Sequence, residues 1–354
     1  MTEPQVSGNK APLCKLSGWD WEEELKPNEK IARCKDRRTG RLAARKIIMG
    51  SSTPVEVRIL SEIHQNNRTV ALLDHVMDQP KPLHCSLYFE YFPLGDLKKW
   101  RFDEFHLKNT PVPESHIWRF FVQMAQALAF LHSGYGTGRM EKWNGIIHRD
   151  IKPENIMMVD NHTLFPSFKL HDFGVAERMD RILTLESKVG SHLWQPAELP
   201  RINTKEADVW SLGAVGYFLA RGHAPTAELY PFVLQTRRNN GDKLPAEVES
   251  LPESERRFHW CSKVPRQIVP INTTGSGRNG RMIGLNGIPM DSRELDHAYS
   301  TDLNDRIMAI LKDDPGLRPT ALQLVDQMVP AAKLVLSKMG DQSTMIDLEF
   351  KCER

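Results

Sequence analysis

The sequence predicts an α+β chain in which a five-strand part comes first and a larger, mainly helical part follows. Three observations carry this expectation. Short strand patterns separated by turn signals fill residues 18–49 and resume from 70 to 91. A helical apolar stripe at 116–132 opens the second part. A stretch at 207–220 that is apolar nearly all round then requires a central, buried helix.

The elements follow in order. Residues 1–16 are polar and broken by Pro and Gly, and are expected to form a flexible N-terminal arm. A strand at 18–25 runs to a turn at Lys26-Pro27-Asn28, a second strand spans 29–36, and Thr39-Gly40 turns the chain into a third from Arg41 to Met49. A helix start follows, with Thr53 as N-cap, Pro54 at the first position and Glu56 closing a capping box. Val55, Ile59, Leu60 and Ile63 line one face of that helix. Strands are expected at Val70–Met77 and Leu83–Tyr91, and after Phe92 the pattern becomes helical. Ile117, Phe120, Phe121, Met124, Leu128 and Leu131 form the later stripe. Residues 301–312 and 320–337 read as closing helices around an Asp-Pro-Gly turn. The span from about 226 to 300 mixes Gly, Pro and charge with little periodicity and reads as an insertion with partial structure. Residues 336–354 read as a C-terminal tail, and no internal repeat is evident.

Bulk properties narrow the function classes. A 354-residue chain with 40% hydrophobic and 26% charged residues has the composition of a soluble globular protein. Net charge is +2, so no bulk field argues for nucleic acid or a membrane surface as partner. Five cysteines, odd in number and without CxxC spacing, argue against a disulfide framework or a zinc site. The start lacks a secretory pattern, and no apolar run approaches the ~18–20 residues of a membrane span. A cytoplasmic or nuclear protein is expected.

The chemistry concentrates in His148-Arg149-Asp150-Ile151-Lys152-Pro153-Glu154-Asn155. A carboxylate, a cation and a carboxamide at offsets zero, two and five can handle a hydroxyl nucleophile, an anionic phosphate and a divalent metal in one loop. This run resembles the catalytic loop of eukaryotic Ser/Thr protein kinases, and the resemblance extends over roughly residues 18–335. It implies a two-lobed protein-kinase-like fold over 17–335. The N-lobe, 17–92, is an antiparallel sheet with one helix, and the C-lobe, 93–335, is mainly helical. It implies ATP and Mg2+ as cofactors and a protein Ser/Thr hydroxyl as acceptor. Asp150 is then the base that takes the hydroxyl proton, Lys152 lies near the γ-phosphate, and Asn155 holds a metal ion. His171-Asp172-Phe173-Gly174 resembles the family's magnesium-binding element, with Asp172 as ligand. Two such oxygen ligands leave room for water and phosphate oxygens, as Mg2+ prefers. Arg41-Leu-Ala-Ala-Arg-Lys46 resembles the third-strand Ala-x-Lys, so Lys46 should reach the α/β-phosphates. Glu56 is the candidate helix partner of Lys46, with Glu62 as the alternative. Glu90-Tyr91-Phe92 stands where the hinge should hold adenine, with Phe89 as gatekeeper and Asp96 near the ribose.

Scaffold signals accompany these. Gly190-Ser191-His192-Leu193-Trp194-Gln195-Pro196-Ala197-Glu198 resembles the end of an activation loop, with the family's Ala-Pro-Glu permuted to Pro-Ala-Glu. The resemblance implies a salt bridge from Glu198 to Arg318, in Asp314-Pro-Gly-Leu-Arg-Pro319, and a role for Asp208 in bracing the catalytic loop. Ser191 falls where Ser/Thr kinases place a hydroxyl against the catalytic Asp. Arg149 beside Asp150 suggests control by phosphorylation in the 175–195 loop, with Thr184, Ser187 and Ser191 as candidates.

One expected part is absent. Ahead of Lys46 a kinase shows Gly-x-Gly-x-x-Gly, whose backbone N–H groups cover the phosphates. Here the stretch from Trp19 to Glu29 holds no glycine, and carboxylates stand at 22–24 and 29. One carboxylate ~6 Å from a phosphate charge costs roughly 3 kcal/mol at an effective dielectric of ~20, so these groups face outward or weaken nucleotide binding. Gly275-Ser-Gly277-Arg-Asn-Gly280 matches the glycine pattern but lies too late in the chain. Gly134-Tyr-Gly136-Thr-Gly138 reads as a flexible connector. Two functions compete: an active Ser/Thr protein kinase, and a pseudokinase that binds ATP or acts as a scaffold with little turnover. A small-molecule phosphotransferase is a distant third.

Overall fold

Strand patterning in the first ninety residues condenses into a single antiparallel sheet. Its members are β1 (Trp19–Lys26), β2 (Ile31–Asp36), β3 (Leu42–Met49), β4 (Leu72–Met77) and β5 (His84–Glu90), in the order β1-β2-β3-β5-β4, with α1 (Val55–Glu62) between β3 and β4. The structure is a computed structural model that describes residues 18–26, 31–182, 189–198, 204–274, 297–339 and 342–353. The arm at 1–16, the turn residues Pro27 and Asn28, and the Gly275–Gly280 pattern lie outside the described residues. Contacts divide the chain into two units. One runs to Phe92 without His64–Thr69, and the other holds His64–Thr69 and everything from Pro93 onward.

In the first unit Trp19, Cys34, Ala43 and Tyr88 form a buried cluster, joined by Leu73 and Val76. Trp19 stacks on Tyr88 at 5.0 Å and donates its indole N–H to Asp74 Oδ2 at 3.1 Å. Strand β1 is irregular against β2, with register shifts between Trp21 and Glu23 and between Glu24 and Lys26. A bulge sets two residues against one, and Arg33 accordingly reaches both Glu22 and Glu23 at 2.8 Å. Helix α1 begins differently from expectation. Its N-cap is Pro54, with no side-chain cap bond, so the Thr53–Glu56 capping box does not form. Glu56 is fully buried and pairs with Lys46, and a buried carboxylate gains more from a cation than from a helix-end N–H. Val57, Ile59 and Leu60 supply the buried apolar face, while Val55 and Ile63 are half-buried.

The second unit is helical. Helix α2 (Leu97–Arg101) continues into a wide turn at Phe102–His106, and α3 (Glu114–Ser133) follows. Two small ladders come next: β6 (Ile146–Ile147) pairs with β9 (Glu177–Arg178), and β7 (Ile156–Val159) pairs with β8 (Ser167–Leu170). The remaining helices are α4 (Met179–Ile182), α5 (Lys205–Arg221), α6 (Leu229–Asn239), α7 (Ala246–Glu249), α8 (Glu253–Lys263), α9 (Thr301–Ile310) and α10 (Ala321–Lys338). Helix α5 is buried from Asp208 to Arg221, as an all-apolar stretch requires. Helix α3 packs against α5, α10 and β8 and is buried from Ser115 to His132, so its polar Arg119, Gln123 and Gln126 are inside along with the apolar stripe. The stretch read as an insertion carries α6, α7 and α8. Pro245 and Pro252 are the N-caps of α7 and α8, so residues that look like breaks are helix starts. Gly134, at φ +69, ends α3. Among the described residues no helix is long and apolar enough to cross a membrane, and none of Cys34, Cys85, Cys261 and Cys352 forms a disulfide.

Candidate active site

The loop 148–155 is held from below by one carboxylate. Asp208, near the start of α5 and 2% exposed, accepts from the backbone N–H of His148 at 2.8 Å and of Arg149 at 2.9 Å. His132 on α3 lies 3.0 Å from the same carboxylate. These bonds hold Arg149 at φ +70, a left-handed conformation that a non-glycine residue keeps only when its surroundings impose it. The next residue, Asp150, is thereby aimed. Its Oδ2 accepts from Lys152 Nζ at 2.8 Å and from Asn155 Nδ2 at 3.1 Å, and Asn155 Nδ2 also donates to the Asp150 carbonyl at 2.8 Å. Lys152 Nζ bonds Ser191 Oγ at 3.0 Å. Asp150 Oδ1 is buried and has no partner among the described residues.

His148 ties this loop to the next. Its Nε2 donates to the His171 carbonyl at 2.9 Å, its Nδ1 faces the Asp150 N–H at 3.3 Å, and its ring meets Phe173 edge-on at 5.0 Å. Both His148 and Phe173 are fully buried. The β7–β8 ladder ends at Ile156 and Leu170, and His171 N–H donates to the Asn155 carbonyl at 2.8 Å. Asn155 and Asp172 therefore leave the same end of one hairpin, with Asp172 at φ +60. An amide oxygen and a carboxylate are hard donors, and so small a protein set suits Mg2+, which keeps water and phosphate oxygens in its shell. Among the described residues no cluster of three or more His, Cys, Asp or Glu side chains forms a closed metal cage.

In the sheet unit, Lys46 Nζ meets Glu56 Oε2 at 3.0 Å, with the Glu56 side chain fully buried and that of Lys46 21% exposed. Glu62 is exposed. Glu90 Oε1 accepts from the Ala71 N–H at 2.7 Å, and Phe89 and Phe92 are buried. Register places Ile31 opposite Lys46, and Arg33 opposite both Ala44 and Glu23. Directly opposed residues share a face, so the Arg33 ion pairs with Glu22 and Glu23 lie on the Lys46 side of the sheet. Those carboxylates are matched by a cation next door, as Asp20 is by Arg37 at 2.7 Å. Arg33 also lies over the Tyr91 ring at 5.8 Å.

The protein kinase domain family matches this chain over residues 29–329. The chain belongs to that family. It is 31% identical over 213 residues to the serine/threonine-protein kinase atg1 of Dictyostelium discoideum, a match covering 59% of this chain and 29% of that protein. It is 30% identical over 186 residues to the serine/threonine-protein kinase stk11 homolog of the same organism, covering 51% of this chain and 28% of the relative. Against the serine/threonine-protein kinase Nek1 of Toxoplasma gondii it is 28% identical over 278 residues, 76% of this chain and 14% of that protein. The chain thus spans under a third of the length of these relatives.

Around the kinase loop, further residues hold the frame. Gly190 adopts φ +88, and a Cβ there would come within 2.4 Å of the Arg149 carbonyl and 2.2 Å of Gln195 Nε2. Only glycine lets residues 189–191 run this close, which brings Ser191 to Lys152. The Arg318 side chain is fully buried and donates to Glu198 Oε1 at 2.5 Å, to Glu206 O at 3.0 Å, to Lys312 O at 2.8 Å and to Asp313 O at 2.9 Å. Arg149 Nε donates to Val175 O at 2.5 Å, and burial holds its guanidinium below the usual value. Thr184 and Ser187 lie outside the described residues. Asp96 has a local task, capping α2 by accepting from the Lys99 N–H at 2.9 Å. Two contributors escape sequence reasoning. Arg266 donates to the carbonyls of Gln195 at 2.7 Å and Pro196 at 2.8 Å, from a stretch with no motif to mark it. His132 is one histidine inside an apolar helix, and only the fold gives it Asp208 as partner.

Proposed function

We propose that this chain is an active Ser/Thr protein kinase that transfers the γ-phosphate of ATP to serine and threonine hydroxyls of protein substrates. The observation that carries this reading is the asymmetry of the Asp150 carboxylate. Oδ2 is held by Lys152 and Asn155, whereas Oδ1 is a buried acceptor without a partner among the described residues. A buried acceptor left unmade is costly, and a substrate hydroxyl donating to Oδ1 would fill it. That bond turns the hydroxyl oxygen toward the phosphorus, and Asp150 takes the proton as the new O–P bond forms and the bond from the γ-phosphorus to the β–γ bridging oxygen breaks, releasing ADP. Lys152, already paired with Asp150, offsets charge on the transferring group, and Ser191 steadies its ammonium.

Lys46, held straight by Glu56, orients the α/β-phosphates, while Glu90, Phe92 and Asp96 serve the adenosine end. Mg2+, when bound, supplies charge neutralisation between the phosphate oxygens, and Asn155 and Asp172 are the residues that would hold it. His148, Arg149, Asp208, Glu198 and Arg318 keep the two loops in register. Thr184 and Ser187 are the phosphorylation candidates that the loop sequence offers, and Arg149 is the cation that such a dianion would pair with.

A second reading, a scaffold with little turnover, is favoured by one feature: side chains replace glycines ahead of Lys46. The deciding experiment pairs Mg-ATP-dependent thermal stabilisation with phosphate transfer to a generic Ser/Thr substrate, for the natural chain and Asp150→Asn. The enzyme reading expects stabilisation of both and a transfer rate roughly 10³-fold lower in the variant. Stabilisation without transfer above the variant would assign the scaffold role.

A further inference from the structure

Between α2, the first turn of α3 and the β7–β8 connection lies a cavity of about 330 Å3. That volume is at the lower end of the range of ligand sites and suits one long side chain with its neighbours. In the wide turn after α2, Leu107 N–H bonds the Phe102 carbonyl at 3.0 Å, a five-residue step in place of the helical four. Glu104 and Phe105 on that turn form one wall, with Trp100 from α2 and His116 from α3 beside them. The β7–β8 connection adds Asp160 and Leu164.

The walls are aromatic and carry a spare acceptor. Trp100 meets Phe105 edge-on at 5.0 Å and lies 5.5 Å from the His116 ring. His116 is 8% exposed, and its Nε2 lies 3.3 Å from the Leu164 carbonyl. A carbonyl only accepts, so Nε2 carries the proton and Nδ1 keeps a lone pair. Nδ1 is buried and has no partner among the described residues. Burial, with the Arg119 charge added, holds this imidazole down at about 4, so it stays neutral and accepting at neutral pH. The Arg119 guanidinium is itself committed elsewhere, donating to the carbonyls of Thr344 at 2.5 Å, Ile346 at 2.6 Å and Phe165 at 2.9 Å.

Charge and rim say what fits. The charged residues that line the cavity, Glu104 and Asp160, are both acids. Glu104 pairs with Lys108 at 2.6 Å in an exposed i,i+4 bridge, which contributes little and is readily exchanged. Asp160 Oδ1 accepts the His162 N–H at 2.8 Å within its own turn. Three acceptors beside aromatic faces, with no cation lining the cavity, complement a flat cation rich in N–H donors. The rim is apolar, with Leu164 83% exposed and Leu94 exposed beside it. A free amine would leave that rim wet, whereas a polypeptide covers it with the residues that flank its cation. We propose that this cavity docks an arginine side chain of a partner protein, with apolar neighbours of that arginine resting on Leu94 and Leu164. The guanidinium stacks on Trp100 and gives its N–H groups to Glu104, Asp160 and His116 Nδ1. The four residues of β7, about 13 Å of strand, separate this site from Asn155. Docking therefore leaves the Asp150 loop open, and it stands whether or not the chain transfers phosphate.

Fluorescence anisotropy of the full chain with a fluorescein-labelled peptide, Ala-Leu-Arg-Leu-Ala, tests this. The same peptide is made with lysine, or with citrulline, the neutral isostere, in place of arginine. The arginine peptide should bind about tenfold more tightly than the citrulline one and about threefold more tightly than the lysine one. Asp160→Asn, Glu104→Gln and Leu164→Ser alter exposed side chains, so the fold is kept, and each should weaken the arginine peptide about three- to tenfold. Spermidine should compete about tenfold less well than the unlabelled arginine peptide. Equal affinity for the arginine and citrulline peptides would overturn the proposal. So would binding unmoved by all three substitutions, or no binding up to ~1 mM peptide. Lysine peptide or spermidine binding as tightly as the arginine peptide would make this a site for simple amines, which overturns it too.

Discussion

Substitution of Asp208 by asparagine exchanges one oxygen for an NH2 group beneath the 148–155 loop at almost constant volume. Oδ2 accepts from His148 N–H and faces His132 Nε2, while Oδ1 accepts from Arg149 N–H alone. The amide will keep its oxygen on the side with two partners and turn its NH2 toward Arg149, where donor meets donor. One hydrogen bond to a charged acceptor is lost, at about 1.5–3 kcal/mol, and the surviving bonds lose their charge assistance. A total of about 3 kcal/mol is expected. The loss falls on Arg149, whose left-handed backbone costs roughly 1–3 kcal/mol to maintain. Released, it relaxes and shifts Asp150, and a misplacement of ~1 Å at a reacting group costs about a hundredfold in rate. Urea unfolding followed by tryptophan fluorescence reads the stability, and initial rates at saturating ATP read the turnover. The expected outcome is about 3 kcal/mol less stability, kcat down about a hundredfold and KM for ATP within about twofold. Natural kcat despite the lost stability would refute the link from Asp208 through Arg149 to Asp150.

Three further outcomes are expected. Glu56→Gln removes the charge that holds Lys46, so KM for ATP should rise about tenfold while KM for the protein substrate stays put; ATP titrations at fixed substrate check this. Arg33→Leu leaves Glu22 and Glu23 uncompensated on the Lys46 face. Because the pair is largely exposed, the penalty is small, a rise in KM for ATP of about fivefold at most that ~0.5 M salt should largely erase by screening. His116 is pushed down to about 4 by burial. As pH falls, the unfolded chain takes up this proton first, so stability is full above about pH 6.5 and declines toward pH 4, by on the order of 3 kcal/mol. Urea midpoints at pH 7 and pH 4.5 should show that decline in the natural chain and a smaller one in His116→Gln.

Features set by neighbours in sequence were legible in the sequence. Alternation and turn residues locate the five strands, and the all-apolar run at 207–220 becomes α5 at 205–221. Asp150, Lys152 and Asn155 stand within one loop, so their spacing alone brings their atoms together, and Lys46 meets Glu56 at 3.0 Å across ten residues. Where two local rules competed, the sequence could not choose. Thr53 and Glu56 satisfied a capping pattern, and burial beside a lysine decided otherwise. Prolines at 245 and 252 read as breaks because Pro serves equally at helix starts. Distance hid the rest. Arg119 and Gln123 look like the wet face of an amphipathic helix until residues 224 positions further along cover them. Arg266 likewise finds its carbonyls only in the folded chain.

The family match stops at residue 329, inside α10, whereas hydrogen bonds to the second unit continue to Glu353. A fragment trimmed to that match would strip Arg68 of its carboxylate and Arg119 of two carbonyls, and would uncover the face of α3 that residues 344–348 bury. The unit that must be expressed to study this chain therefore extends some two dozen residues past the point where the family match ends.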